Sequence, residues 1–253
     1  MDESRSVGTG LTLVVPCYNE ANRLDLPSFR DFLNSHGRVK ILFVDDGSRD
    51  DTRGVLEQLR EEMPDHVAVL GDGHNRGKAE AVRLGVAAAL KSNPPFVGFW
   101  DADLATPLSA VCDFLDIFEE HPEVLMVFGA RVKLLGRHVE RRAIRHYLGR
   151  VFATVASSVL RLDIYDTQCG AKLFRVDDSL RTVFADHFLS KWVFDVEILA
   201  RYSKLFDYDH HRLERAIYEY PLQQWVDIAG SKIQAKDFLT AFLDIVRIKR
   251  KYL

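Results

Sequence analysis

The chain has 253 residues, 47% hydrophobic and 28% charged, with a formal net charge of −3. That is apolar material for one large α/β domain or two small ones, and the acidic balance speaks against a general nucleic-acid binder. Cys17, Cys112 and Cys169 are widely spaced with no CxxC pair, which excludes a disulfide frame or zinc site and fits free thiols in a reducing compartment.

No run of about 18 apolar residues occurs, so no membrane span is expected. The polar, acidic start MDESRSVGTG reads as a flexible segment over 1–10, neither leader nor anchor. Leu11 to Pro16 is a short apolar run and predicts the first buried strand. An amphipathic helix follows, with Leu24, Leu26, Phe29, Phe32 and Leu33 on its apolar face. Val39 to Val44 predicts a second strand, ending in the turn Asp45-Asp46-Gly47-Ser48. Asp50 or Asp51 then caps a helix through Leu59. Val67 to Leu70 is a third strand, followed by a loop to Lys78 and an alanine-rich helix from about Ala79 to Leu90. The fourth strand, Phe96 to Trp100, stops abruptly at Asp101-Ala102-Asp103.

This β-α alternation predicts a mostly parallel sheet with helices on both faces. Ligands of such sheets sit at the carboxyl ends of the strands. The polar clusters fall there: Tyr18 and Glu20, Asp45 and Asp46, Arg76 and Lys78, Asp101 and Asp103. Extended geometry points Asp101 and Asp103 the same way, with the small Ala102 between them. Such a pair offers hard oxygen ligands to Mg²⁺ or Mn²⁺, completed by substrate phosphates. The bland reading is a pair opening the next helix. Likewise Asp45 or Asp46 can be a turn former, Arg76 a solvated turn residue, and Glu20 a helix-start charge. No GxGxxG follows the first strand and no GxxxxGK[ST] occurs, which counts against a dinucleotide fold and a P-loop.

In the second half, Leu108 to Phe118 predicts a helix and Val124 to Ala130 a strand ending beside Arg131. Val132 to Arg150 is strongly basic, with Lys133, Arg137, Arg141, Arg142, Arg145 and Arg150, and runs into an apolar helix from Val151 to Leu160. In an acidic chain this local basicity suggests an anionic partner, a phosphate or a membrane surface. Lys191 to Leu199 predicts a helix with Asp195 and Glu197 core-paired, and Ile217 to Trp225 a late strand. The last helix, Ile233 to Leu253, is amphipathic with a basic end; it either packs on the domain or lies on an anionic bilayer.

Taken in order, VVPCYNE, VDDGSRDDT, NRGKAEAVRLG and DADLATP resemble family 2 glycosyltransferases of the GT-A fold. DTQCGAKLF, KWVFDVE and the late Trp225–Lys232 segment narrow the resemblance to dolichyl- or polyprenyl-phosphate sugar synthases, within them the dolichyl-phosphate glucose synthase branch. It implies a GT-A domain over 11–232, followed by the helix of 233–253. It implies a donor site at Pro16, Tyr18, Glu20, Val44, Asp45, Asp46, Arg76, Lys78, Asp101, Ala102, Asp103 and Lys232, and a metal on Asp101 and Asp103. Arg131 and Arg145 are the expected acceptor-phosphate residues. Asp103, Arg131 and Asp166 form the expected catalytic set, Asp166 as an orienting group or, for a hydroxyl acceptor, a base. Where the mannosyl branch carries Gln as a further metal ligand this chain has Ala105, and where it carries Arg before the late Lys it has Val226. The expected reaction moves glucose from UDP-glucose to a lipid phosphate with inversion. The alternatives are a GDP-mannose-dependent transferase, a soluble-acceptor transferase and a non-catalytic nucleotide-sugar binder. The expected partners are the donor, the polyprenyl or dolichyl phosphate and the cytoplasmic face of an anionic membrane, with a homodimer left open and nucleic acid excluded.

Overall fold

The computed structural model describes residues 10–140, 143–228 and 235–253; for 140, 143–150 and 235–239 it describes the backbone alone. A seven-stranded sheet forms the centre, in the order β3-β2-β1-β4-β7-β5-β8. β1 (Leu11–Cys17), β2 (Val39–Asp45), β3 (Val67–Leu70) and β4 (Phe96–Trp100) run parallel, as the β-α alternation predicts. β7 (Ala171–Arg175) is antiparallel to both its neighbours, β4 and β5 (Met126–Ala130), and β8 (Ile217–Pro221) pairs parallel with β5. This is the mostly parallel, helix-flanked sheet expected of the GT-A fold.

Alternate residues of each strand feed two separate cores. Leu13, Val15, Phe43, Trp100 and Leu173 face one side, where α1 (Leu26–Ser35), α2 (Thr52–Glu62) and α4 (Ala110–Glu120) close over them. Val14, Val44, Phe99, Phe128 and Phe174 face the other, covered by α3 (Lys78–Ala89), α5 (Ala143–Leu160), α7 (Phe194–Leu205) and α9 (Ala235–Tyr252). Each such side chain stabilises the fold by roughly 1.5–3 kcal/mol. Burial on both faces explains why these strands read as unbroken apolar runs.

Several elements differ from the sequence reading. The helix expected from Val151 begins at Ala143, inside the basic segment. The late strand is two: β8 ends at Pro221, and β9 (Gln224–Val226) pairs with the short β6 (His138–Glu140) in a second sheet. Pro221 is tolerated because β8 is an edge strand, and the Leu222 N–H still donates to the Ala130 carbonyl (2.9 Å) before the chain leaves this sheet. The helix expected from Lys191 starts at Phe194. α6 (Asp178–Val183) and α8 (His210–Ala216) had no counterpart in the sequence reading; each is under three turns, too short for a helical period to register. α9 packs on α5 and α7 through Ala241, Ile245, Ile248 and Tyr252, while Leu243 and Val246 stay exposed on its outer side. Among the described residues no helix is long and apolar enough to cross a membrane.

Candidate active site

The carboxyl ends of β1, β2 and β4 open on one edge of the sheet, and the loops leaving them interlock. The backbone N–H of Asp46 donates to the Cys17 carbonyl (2.9 Å), and that of Asn19 to Ser48 Oγ (3.0 Å). Glu20 N–H donates to Thr52 Oγ1 (2.8 Å), at the start of α2. Of the two candidate caps of α2, Asp50 accepts from Thr52 N and Ala21 N, whereas Asp51 makes no side-chain cap bond. Pro16, Tyr18 and Glu20 line this edge half-buried, and Val44 is buried.

Asp45 and Asp46 are both buried, and both hold loops. Asp45 accepts from Ser48 N (3.0 Å) and closes its own turn. Asp46 accepts from Arg76 N (2.7 Å) and Gly77 N (2.8 Å), fixing the loop before α3. Gly77 has φ +93°, which a side chain would strain, and it opens α3 without a side-chain cap. The helix start therefore keeps donors for an anion. The Arg76 guanidinium turns outward to Asp72 (2.6 and 2.7 Å) and takes no part in the carboxylate cluster.

Asp101 and Asp103 lie where β4 ends, with 36% and 26% of their side chains exposed, so both face solvent at the cleft. Each has one cation in direct contact. Lys78 Nζ pairs with Asp101 Oδ1, and Arg23 meets Asp103 Oδ2 at a loose 3.4 Å while also binding Glu20 (3.2 Å). Burial, then the adjacent Asp101 charge, pushes the Asp103 carboxyl above its usual range. Surrounding protein disfavours the Lys78 charge, but Asp101, Asp195 and Asp103 outweigh it and raise its pKa. Two close carboxylates, one reluctant to ionise, form a site short of positive charge, and a divalent cation fits it. Among the described residues no three His, Cys, Asp or Glu side chains converge on a metal site, so phosphate oxygens would have to complete the coordination.

Arg131 follows β5 on the same edge of the sheet, with β7 and the turn into it lying between Arg131 and the two carboxylates; these two sides are the walls of the candidate site. Its Nε and Nη2 donate to the two oxygens of Asp166 (2.5 and 2.8 Å), and its backbone N–H adds a third bond (3.2 Å). The guanidinium lies 5.3 Å from the centre of the Trp225 ring. Burial works against this charge, but Asp166 more than offsets it, so Arg131 stays a cation. Asp166 also accepts from Gln168 N (3.2 Å). With that many donors it orients Arg131 and is a poor candidate base. Glu219 on β8 supports the loop, accepting from Tyr165 N (2.9 Å) and Asp166 N (2.7 Å).

Ala102 is buried beneath its two neighbours. Ala105 and Val226, the two departures from the mannosyl pattern, are joined: Val226 N donates to the Ala105 carbonyl (3.0 Å). Arg145 lies in α5, where only the backbone is described, and Lys232 falls outside the described residues. Arg23, Lys172 and Glu219 had no role in the sequence reading. Arg23 stands three residues after Glu20, a spacing that signals a pair once the segment turns. Glu219 carries no such signal, because it reaches its loop only through the pairing of β8 with β5.

The sequence profile described as "Glycosyl transferase family 2" matches residues 12–181. The chain is 32% identical to a dolichyl-phosphate beta-glucosyltransferase of Dictyostelium discoideum, over 96% of this chain and 75% of that protein. It is 31% identical to the Mus musculus protein of the same name, over 96% of this chain and 76% of that one. In shape it is similar to glucosyl-3-phosphoglycerate synthase from Mycobacterium tuberculosis, in a crystal structure with Mn²⁺, UDP-glucose and phosphoglyceric acid. The TM-score there is 0.67 at 15% identity, covering 98% of this chain and 82% of that one. The likeness in shape covers the sheet and its flanking helices together, and the likeness in sequence runs nearly end to end. The chain belongs to glycosyl transferase family 2.

Proposed function

We propose that the chain is an inverting glucosyltransferase that moves glucose from UDP-glucose to a polyprenyl or dolichyl phosphate. The observation that carries this is the division of the cleft. One wall presents two partly exposed carboxylates with Lys78 and the uncapped start of α3; the other presents an arginine held as a cation against Trp225. The relatives named as dolichyl-phosphate beta-glucosyltransferases support the acceptor and the sugar.

Each wall does separate chemistry. The donor's diphosphate lies against the start of α3 and Lys78, which then exchanges Asp101 for phosphate. Asp101 and Asp103 would hold a divalent ion, Mn²⁺ or Mg²⁺; bound there it supplies Lewis-acid neutralisation of the departing diphosphate, worth several kcal/mol. Arg131, kept in plane by Asp166, holds the acceptor phosphate. That phosphate is already an anion at neutral pH, so the attacking oxygen needs orientation and no strong base. The nucleoside sits in the pocket of Pro16, Tyr18, Glu20 and the Val44–Asp46 turn. Asp46 serves it indirectly, by holding the Arg76–Gly77 backbone.

A lipid acceptor requires a membrane-facing side. Leu134 and Leu135 protrude from the loop that starts at Arg131, Leu135 fully exposed, with Lys133 and Arg137 beside them. Leu243 and Val246 on α9 are also exposed, near Arg247, Lys249 and Arg250. Apolar side chains ringed by cations suit an anionic bilayer surface. The deciding experiment is turnover of UDP-glucose on a short polyprenyl phosphate with Mn²⁺, against GDP-mannose as donor and 3-phosphoglycerate as soluble acceptor. Lipid-linked glucose is expected. Turnover only on the soluble acceptor overturns the lipid assignment, and UDP-glucose binding without any product overturns the activity. Sedimentation with phosphatidylserine vesicles, lost in a Leu134→Ser/Leu135→Ser variant, is the expected mark of membrane docking.

A further inference from the structure

Lys172 is the one lysine with no exposure among the described residues, and it is the second residue of β7, which lies between β4 and β5. A buried ammonium is costly unless its donors are all satisfied. Here Nζ donates to the carbonyls of Thr167 (3.1 Å) and Cys169 (2.6 Å) and makes a 2.6 Å ion contact with Asp195 in the first turn of α7. Phe99 and Phe128 present their rings 5.4 and 5.6 Å away. The two carbonyls belong to the turn that leads into β7, and that turn touches both walls of the cleft. Gly170 accepts the Asp101 N–H (2.9 Å), and a Cβ on it would collide with the Asp101 carboxylate. Asp166, at the start of the same turn, holds Arg131. The charges alternate from the core outward: Lys172, Asp195, Lys78, Asp101.

We infer that Lys172 and Asp195 are positioning residues for Asp101: the buried ammonium pins the Thr167–Gly170 turn, and the pinned turn seats the carboxylate at the end of β4. The inference rests on the reading of Asp101 as a metal ligand. An apolar residue would pack the strand without a desolvation penalty, so what the lysine adds is its bonds to the turn and to Asp195. The pair acts through backbone and meets no substrate. Removing it leaves the nucleoside pocket on β1 and β2 intact and frees the turn beneath the carboxylate.

The test is calorimetric titration of the purified full chain with UDP, in EDTA and in saturating Mn²⁺, for Lys172→Met/Asp195→Leu. Both charges are removed together, so neither is left buried alone. The expected result is UDP affinity in EDTA changed no more than about twofold, through the charge Asp195 exerts on Lys78, and a Mn²⁺-promoted gain reduced by about tenfold, the scale of losing a group that orients a metal ligand. Gly170→Ala, which crowds the seat directly, is expected to do the same. If the double variant fails to fold, Asp195→Asn is read in the same titrations, with a loss of about threefold expected, less than full loss because an amide oxygen still faces the ammonium. An unchanged Mn²⁺ gain in the variant that folds, or an equal loss in EDTA, overturns the inference. Asp101→Asn separates the two failures. If it loses the gain while the Lys172 variants keep it, only the positioning role falls. If Asp101→Asn itself keeps the gain, the metal assignment falls and the positioning role with it.

Discussion

The two walls of the cleft carry similar charges but hold them differently. On the proposed donor wall the carboxylates are partly exposed: Asp103 closes its own turn on the Ala105 N–H (3.1 Å) and meets Arg23 only at a loose 3.4 Å, and Asp101 has Lys78. On the acceptor wall Arg131 and Asp166 are bonded at three points and nearly buried, with Glu219 fixing the loop behind them. The donor wall is thus built to exchange partners, and the acceptor wall to stay as it is. An exposed single ion pair is worth about 0–1 kcal/mol and gives way readily, whereas breaking a buried one costs about 3–5 kcal/mol.

The contrast can be broken most severely at Asp103. Asp103→Ala is expected to cut turnover by roughly 10³-fold at saturating Mn²⁺, with a stability loss of only about 1 kcal/mol from the lost turn bond to the Ala105 N–H. Full activity in that variant would remove the metal assignment. Arg131→Ala tests the opposite wall. It leaves Asp166 buried without its cation, so a stability loss of about 3–5 kcal/mol is expected in urea unfolding. Arg131→Lys separates binding from folding. It keeps the charge but loses the two-pronged geometry, and the acceptor KM should rise about tenfold while UDP affinity by calorimetry holds. A larger effect on UDP would move Arg131 to the donor wall. Trp225→Ala removes the ring beneath the guanidinium and should weaken acceptor use only a few-fold, matching about 0.5–1 kcal/mol for a partly exposed cation–π contact.

The smallest expected effect concerns pH. Burial raises the Glu219 carboxyl above its ordinary range, against the pull of two backbone N–H groups. A carboxyl raised on folding binds protons more tightly in the native state. Its contribution to stability is therefore complete below the ordinary glutamate value near 4.5 and is lost as pH rises through the raised one. The difference in unfolding free energy between wild type and Glu219→Gln should accordingly fall as pH rises above 4.5 and level off once Glu219 is ionised in the folded state too. A flat difference would mean that Glu219 holds its loop without strain.

The same division governs what could be read in advance. The first four strands and their helices follow one rule, a doubly buried strand then an amphipathic helix, and apolar runs and turn residues mark them clearly. The carboxylates at the strand ends were legible for the same reason: polar residues that abruptly end a buried strand stand out. The second half breaks the rule. β7 runs antiparallel, and Lys172 interrupts its apolar pattern, so the strand that seats Asp101 did not look like one. The bonds of Asp46 to the Arg76–Gly77 backbone, and of Glu219 to the loop at Asp166, join residues about 30 and 53 positions apart. Only register brings them together, and a one-residue slip would undo it.

The bond from Val226 to Ala105 has a mechanical consequence. β9 is the last strand before α9, and its backbone is fastened to the loop that carries Asp101 and Asp103. A displacement of Val226 therefore pulls directly on the strand-to-helix turn that carries Asp101 and Asp103, so the small second sheet and the end of β4 cannot move independently.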